Sequence, residues 1–166
     1  MKKLLLAILL IFSLSVIGTR FYKSVVLKQN CTGYLKRSAD ANTTDTAKNE
    51  LSKAISYLEA NKLTEGYTSV FYNTPDEDIA FWYKNLKASE IELSKVTDKT
   101  TSLEKTNLLM KLRETLLDSE KSGDSITVPN GLSVFPDNKL WMTLLSLAVI
   151  SLIGVFVLIA IILEDY

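Results

Sequence analysis

The chain has 166 residues, enough for one ordinary domain, and its 19 basic and 19 acidic residues balance. It has no histidine and one cysteine, Cys31, which excludes a Ser–His–Asp triad, an intramolecular disulfide and a multi-cysteine metal site. The charges are interspersed, so nucleic acid is not an expected partner. The sequence contains no phosphate-binding loop and no nucleophile elbow. We therefore expect no cofactor and no metal, and interpret the protein as non-enzymatic.

The N-terminal segment, residues 1–22, begins with Lys2 and Lys3 and continues as the apolar run Leu4–Gly18. One interpretation is a secretory signal peptide that is cleaved near Gly18. The other is an uncleaved signal-anchor that extends to Tyr22, because the strict run would span only about 22 Å of a hydrocarbon layer of roughly 30 Å. No Ala-x-Ala triplet follows the run, which favours the anchor.

Residues 23–121 are predicted to form an antiparallel helical hairpin. The first arm ends near Asn61, and its clearest apolar stripe consists of Ala47, Leu51, Ala54, Ile55 and Leu58 at helical spacing. The segment 40–45 is rich in capping residues, so it either divides this arm into two helices or lies within one continuous helix. Gly66 is the predicted C-cap of the arm.

The strongest local pattern of the chain marks the start of the second arm. Thr74 is predicted as the N-cap and Pro75 as the first helical residue, and the three acids at 76–78 complement the exposed amides and the helix dipole. A divalent cation site is the alternative role for these acids, but it needs several further oxygen ligands. We therefore interpret them as capping residues.

The second arm is predicted to be one helix of about 45 residues, roughly 65 Å long, with a sustained heptad pattern. Such a helix must pack its apolar stripe on the first arm, on a second copy of the chain, or on both. Asn107 occupies a heptad position, where it either fixes the register of a coiled coil or is solvated. The heptad positions are Ile79, Trp82, Leu86, Ser89, Leu93, Val96, Thr100, Leu103, Asn107, Met110, Glu114 and Leu117.

Aromatic residues concentrate around the predicted turn between the two arms. They form either the hydrophobic cap of the hairpin or an exposed recognition tip, since aromatic residues dominate interface hot spots. The candidate partner contacts are Phe71, Tyr72, Phe81, Trp82 and Tyr83, together with Asn107 on the second arm.

The C-terminal part contains a linker and a second apolar segment. Residues 122–138 are predicted as a juxtamembrane linker, in which Ser125–Phe135 forms a small β-hairpin around a turn at 129–131. Residues 139–163 are predicted to cross a membrane, because 24 uncharged residues from Leu140 to Leu163 span about 36 Å. Residues 164–166 form a short acidic tail.

The predicted architecture is all-α: a membrane-anchored helical hairpin or coiled coil between a signal-anchor and a transmembrane helix. Lys2 and Lys3 favour a cytoplasmic N-terminus, which would place the central domain outside the cytoplasm at a plasma or inner membrane. The predicted function is that of a structural or adaptor protein that self-associates or docks on a membrane complex. The alternative is the ligand-sensing or binding module of a receptor complex. The expected partners are the lipid bilayer and either a second copy or another membrane protein.

Overall fold

The computed structural model describes residues 1–118 and 125–164, and it is mostly helical, at 75%. The chain divides into two compact units. We name Met1–Val25 with Ser133–Tyr166 the helix-pair unit, and Val26–Leu132 the helical domain. The turn or linker predicted at 119–124 and the last two residues of the acidic tail lie outside the described residues.

The helix-pair unit is built from helix α1 (Lys2–Leu27), whose first 24 residues belong to it, and helix α6 (Asn138–Glu164). The Ser13 hydroxyl, buried between the helices, donates a hydrogen bond to the Ala148 carbonyl at 3.1 Å. Leu9 lies against Gly154, where a Cβ would sit 3.6 Å from the leucine Cδ1. At one end of the pair, the Lys23 ammonium lies 5.6 Å from the centre of the Trp141 ring. Partner positions fall along α6 as they rise along α1, so the two helices are antiparallel.

Two helices, Lys2–Ala39 and Asn138–Glu164, are long and apolar enough to cross a membrane, by length and composition. Many of the large apolar side chains of α1 and α6 are exposed, as Ile11, Ile150 and Phe156 illustrate. The sequence prediction of two long apolar segments is therefore confirmed.

The helical domain contains a π-helix (Lys28–Thr32) and helices α2 (Gly33–Ala39), α3 (Thr44–Ala60), α4 (Ile79–Ser94) and α5 (Ser102–Leu116). The π-turn depends on a glycine at position 33, because a Cβ there would lie 2.7 Å from the Lys28 carbonyl oxygen. Segment 40–45 divides the first arm into two helices, which is one of the two alternatives that the sequence left open. Helix α3 begins anew after Thr43, whose hydroxyl accepts a hydrogen bond from the Thr46 amide.

The apolar stripe predicted on the first arm forms the centre of the domain core. All five of its residues are buried, and Leu35 of α2 and Leu86 of α4 are buried as well. Two polar contacts, each 2.6 Å long, fix α4 against α3: Ser52 donates to Glu90, and Tyr83 donates to Glu59. Because partner positions fall along α4 as they rise along α3, these two helices run antiparallel.

The prediction of one continuous helix through the heptad positions is wrong. Helix α4 ends at Ser94, and α5 begins only at Ser102. The reason is a capping box, in which the Thr101 hydroxyl accepts from the Glu104 amide and the Glu104 carboxylate accepts from the Thr101 amide. After the break, the buried face of the helix no longer follows the heptad positions. Helix α5 buries Leu112 and Leu116, which are not heptad positions.

The predicted C-terminal end of the first arm is also wrong. Helix α3 ends at Ala60, with Asn61 as its C-cap, so Gly66 is not the cap. Lys62 adopts the left-handed conformation at φ 57°, and the Leu63 amide donates to the Leu58 carbonyl at 2.8 Å, which together form a Schellman motif. The Leu63 side chain is buried, and an apolar residue at this position is common in the motif.

The start predicted at Thr74 and Pro75 belongs to a different helix. These residues begin a short 3₁₀-helix, Pro75–Glu77, and the α-helix follows only at Ile79. Its N-cap is Asp78, whose carboxylate accepts from the amides of Ala80 and Phe81. One of the three acids, Asp78, therefore caps a helix as predicted, but the helix is α4 and not the short 3₁₀-helix that begins at Pro75.

A small two-stranded antiparallel sheet is present, and Ser125–Ile126 is one of its strands, but the predicted partner strand is wrong. Strand β1 (Leu117–Asp118) pairs with β2 (Ser125–Ile126), so the partner of β2 precedes it in the chain instead of following it. The segment predicted as the second strand contains a 3₁₀-helix, Leu132–Val134. Gly131, at φ 82°, leads into that helix instead of closing a hairpin.

Candidate interaction surface

The segment between α3 and α4 is a loop whose two ends are joined by backbone hydrogen bonds. Tyr67 and Asp78 form an antiparallel bridge, and the Thr68 amide donates to the Glu77 carbonyl at 3.1 Å. The Ile79 amide donates to the Gly66 carbonyl at 2.9 Å, and Gly66 turns the chain there at φ 103°. Compact surface loops with closed ends are frequently functional. We name residues 66–78 the aromatic loop.

The aromatic loop carries large rings on its outer surface. Phe71 is 79% exposed and Tyr72 is 75% exposed, and Phe81, in the first turn of α4, is 64% exposed. Scattered apolar side chains on a protein surface are normal, but several large rings within one short segment are typical of an interaction site.

Two carboxylates line the same groove as two of these rings. The groove has a volume of about 310 Å³, and its walls include Phe71, Tyr72, Asp76 and Glu77. The Thr74 hydroxyl donates to the Glu77 carboxylate at 2.9 Å and so holds its orientation. The groove therefore combines flat apolar faces with negative charge.

Hydroxyl groups near the base of the loop lack partners. Among the described residues, neither the buried Thr68 Oγ1 nor the buried Ser69 Oγ has a hydrogen-bond partner, and Ser69 lines the groove. A buried hydroxyl without a partner costs about 1–3 kcal/mol.

Two of the sequence candidates form hydrogen bonds within the helical domain. Trp82 is only 8% exposed, and its indole N–H donates to the Thr127 carbonyl at 2.9 Å. Tyr83 is half-buried and donates to Glu59. Burial, and then the hydrogen bond to the Glu59 carboxylate, raise the pKa of Tyr83 above its usual value of 10.0. These two residues hold α4 in place and do not add to the exposed ring surface.

The last candidate, Asn107, lies on a different element. It is exposed on α5, between Leu103 at 70% exposure and Met110 at 57%. Its heptad position is therefore not packed within the helical domain. The structure does not bring Asn107 into the groove of the aromatic loop.

Sequence reasoning assigned Asp76 and Glu77 to capping and overlooked Ser69 altogether. A detectable signal was the charge distribution: Glu65 and the three acids at 76–78 lie in a stretch without any basic residue, between Lys62 and Lys84. The described residues contain no group of three or more Cys, Asp or Glu side chains that could hold a metal ion. Comparison of the chain with protein-family models, curated proteins and solved structures finds no match.

Proposed function

We propose that this protein is a non-enzymatic, membrane-anchored adaptor. The helix-pair unit is its anchor, and the helical domain docks on a partner protein through the aromatic loop. The observation that carries the proposal is the exposure of Phe71 and Tyr72 on a loop whose backbone ends are fixed. A loop that is already ordered loses little conformational entropy when it binds.

The helix-pair contacts support an anchor of two retained helices over a cleaved signal peptide. Ser13, Leu9 and Lys23 of α1 all have contacts with α6, and removal of α1 would leave the face around Ala148 without its partner. Helices of 26 and 27 residues span about 39 and 40 Å, enough for the hydrocarbon layer. Small residues at the contact, such as Gly154, are typical of membrane helix pairs.

Cysteine crosslinking tests this anchor. In membranes, Leu9→Cys combined with Gly154→Cys should form a disulfide under mild oxidation, because these two positions face each other. Leu9→Cys combined with Phe156→Cys is the control, since Phe156 lies at a similar depth but faces outward. The protein should also stay in the membrane fraction after alkaline extraction. A mature chain that lacks α1 would contradict the two-helix anchor.

Photo-crosslinking tests the docking function. A photoreactive phenylalanine analogue at position 71 or 72, in cells that make the protein, should yield a discrete crosslinked protein. The same analogue at Lys99, an exposed position in the α4–α5 connection, is the control. The absence of a specific product from both loop positions would contradict docking through this loop.

A ligand-binding module is the second candidate, and the groove of about 310 Å³ beside Ser69 favours it. This volume is at the lower end of the range for small-molecule sites. Thermal unfolding of the full chain in detergent, measured across a small-molecule collection, separates the two functions. A saturable increase in Tm that Phe71→Ala abolishes would support ligand binding.

A further inference from the structure

The chemistry of the aromatic loop specifies one kind of partner. Its groove places the exposed rings of Phe71 and Tyr72 beside the carboxylates of Asp76 and Glu77. We propose that this groove docks an arginine- or lysine-bearing segment of the partner protein. The inference rests on the proposed docking function and adds the charge of the partner to it.

Charge complementarity is the first argument. The stretch between Lys62 and Lys84 contains four acidic and no basic residues, although the whole chain is balanced. An acidic segment, or a membrane surface rich in anionic lipid, would be repelled by this loop. A purely apolar segment would bury Asp76 and Glu77 without compensation, which is costly. A basic segment would be attracted by these carboxylates and would compensate their burial.

The combination of rings and carboxylates is the second argument. An arginine guanidinium stacks on aromatic faces and donates paired hydrogen bonds to a carboxylate, so one side chain satisfies both features of the groove. The Glu77 carboxylate is already oriented by Thr74, which reduces the entropy lost on pairing.

The size of the groove is the third argument. A volume of about 310 Å³ accommodates one or two long side chains. The groove therefore fits a segment that inserts one or two basic side chains.

Binding of a defined peptide tests the proposal. The full chain in nanodiscs of zwitterionic lipid is titrated into a fluorescent arginine–serine repeat peptide, with a glutamate–serine peptide as the negative probe. We expect saturable binding of the arginine peptide alone, weakened by added salt because exposed charges are screened. The double variant Asp76→Asn with Glu77→Gln should weaken binding by about tenfold.

The matched control removes the same two charges elsewhere. Asp98→Asn with Glu114→Gln changes two exposed carboxylates outside the loop and should alter Kd by less than about twofold. Equal weakening by both double variants would overturn the proposal, because binding would then follow net charge alone. Failure of the arginine peptide to bind at low salt would overturn it as well. Unchanged thermal unfolding confirms that each variant is folded.

The photo-crosslinking experiment distinguishes failure of this inference from failure of the docking function. A crosslinked partner segment that is acidic, or that comes from a second copy of this chain, would overturn the basic-partner proposal and leave docking intact. A basic segment whose crosslinking is lost in the Asp76→Asn and Glu77→Gln variant supports it. No specific product at all would contradict docking itself.

Discussion

The two compact units differ in whether their large apolar side chains are exposed or buried. In the helix-pair unit many of them are exposed, and Ser13, Val16 and Ala148 belong to a narrow buried strip. In the helical domain, leucines such as Leu51 are buried, and exposure is concentrated in a few places, chiefly the aromatic loop. Water penalises a large exposed apolar surface, whereas lipid does not. The comparison teaches that the two kinds of exposure need separate tests: lipid would favour exposure that covers a whole unit, and a binding partner would favour exposure confined to one loop.

The largest expected effect follows from burial in the helical domain. Leu51→Ala should reduce the free energy of unfolding of this domain by about 2–5 kcal/mol, because it leaves a cavity in the core. Leu103→Ala, the same substitution at an exposed leucine on α5, should cost less than about 0.5 kcal/mol. Denaturant unfolding followed by the fluorescence of the buried Trp82 measures both, in a Trp141→Phe background. Equal effects would refute the assignment of the core.

The next prediction asks whether lipid is the solvent of the helix-pair unit. Ile150→Arg places a charge on the outward face of α6 and should disfavour membrane insertion by about 2.5–3.5 kcal/mol. Ile91→Arg is the matched control, because Ile91 is similarly exposed but lies on α4 of the helical domain. The fraction of newly made protein that resists alkaline extraction reports insertion. If both variants insert as well as the unmodified chain, the apolar exposure of α6 has another cause.

The features that the sequence predicted well are those that depend on long, regular patterns. The uncharged length of α6 and the apolar stripe of α3 both stand out without knowledge of the tertiary structure. The single long helix failed because leucines at helical spacing occur on both sides of the break. One short capping motif, Thr101 with Glu104, outweighed that periodicity and reset the phase of α5. Local hydrogen bonds of this kind decide where a helix starts.

The candidate surface was only partly predictable for a related reason. The composition singled out the aromatic residues around the loop, but it did not reveal which rings face outward. Trp82 is buried because its indole N–H reaches the Thr127 carbonyl, a contact between positions 45 residues apart. Phe71 lies in a loop that is closed by the bridge between Tyr67 and Asp78, which are 11 positions apart. Such long-range pairings leave little trace in a single sequence.

A smaller effect should come from the capping box that divides the two helices. Thr101→Ala should destabilise the helical domain by about 1 kcal/mol, since it leaves the Glu104 amide without its acceptor. Thr106→Ala is the control, because that hydroxyl donates to the Ser102 carbonyl within the helix and does not cap it. Chemical denaturation of both variants measures the difference. Equal destabilisation would mean that the cap does not determine the start of α5.

The same capping box predicts a dependence on pH. Hydrogen bonds from the Thr101 amide and hydroxyl lower the pKa of Glu104 from its usual value of 4.5. Because the folded pKa is the lower one, this stabilisation is fully present above about pH 4.5 and is lost as the pH falls through the folded pKa. Glu104→Gln should flatten the stability profile on the acid side of about pH 4.5. An unchanged acid limb in the variant would contradict the assignment.

The smallest predicted effect concerns the strip that joins α1 to α6. Ser13 is buried there and donates to carbonyls on both helices, at 2.9 Å to Leu9 and 3.1 Å to Ala148. Loss of one such bond between membrane helices costs about 0.6 kcal/mol on average, because the separated helices find other partners. Ser13→Ala should therefore lower the yield of the disulfide between cysteines at 9 and 154 only slightly, and Ser15→Ala, at an exposed position, should leave it unchanged.

Ser13→Leu should reduce that yield far more, because a larger side chain cannot fit where the serine is fully buried against Ala148. If Ser13→Leu crosslinks as well as the unmodified pair, close packing at Ser13 does not hold the anchor together, and the contrast between a narrow buried strip and a lipid-facing exterior loses its basis.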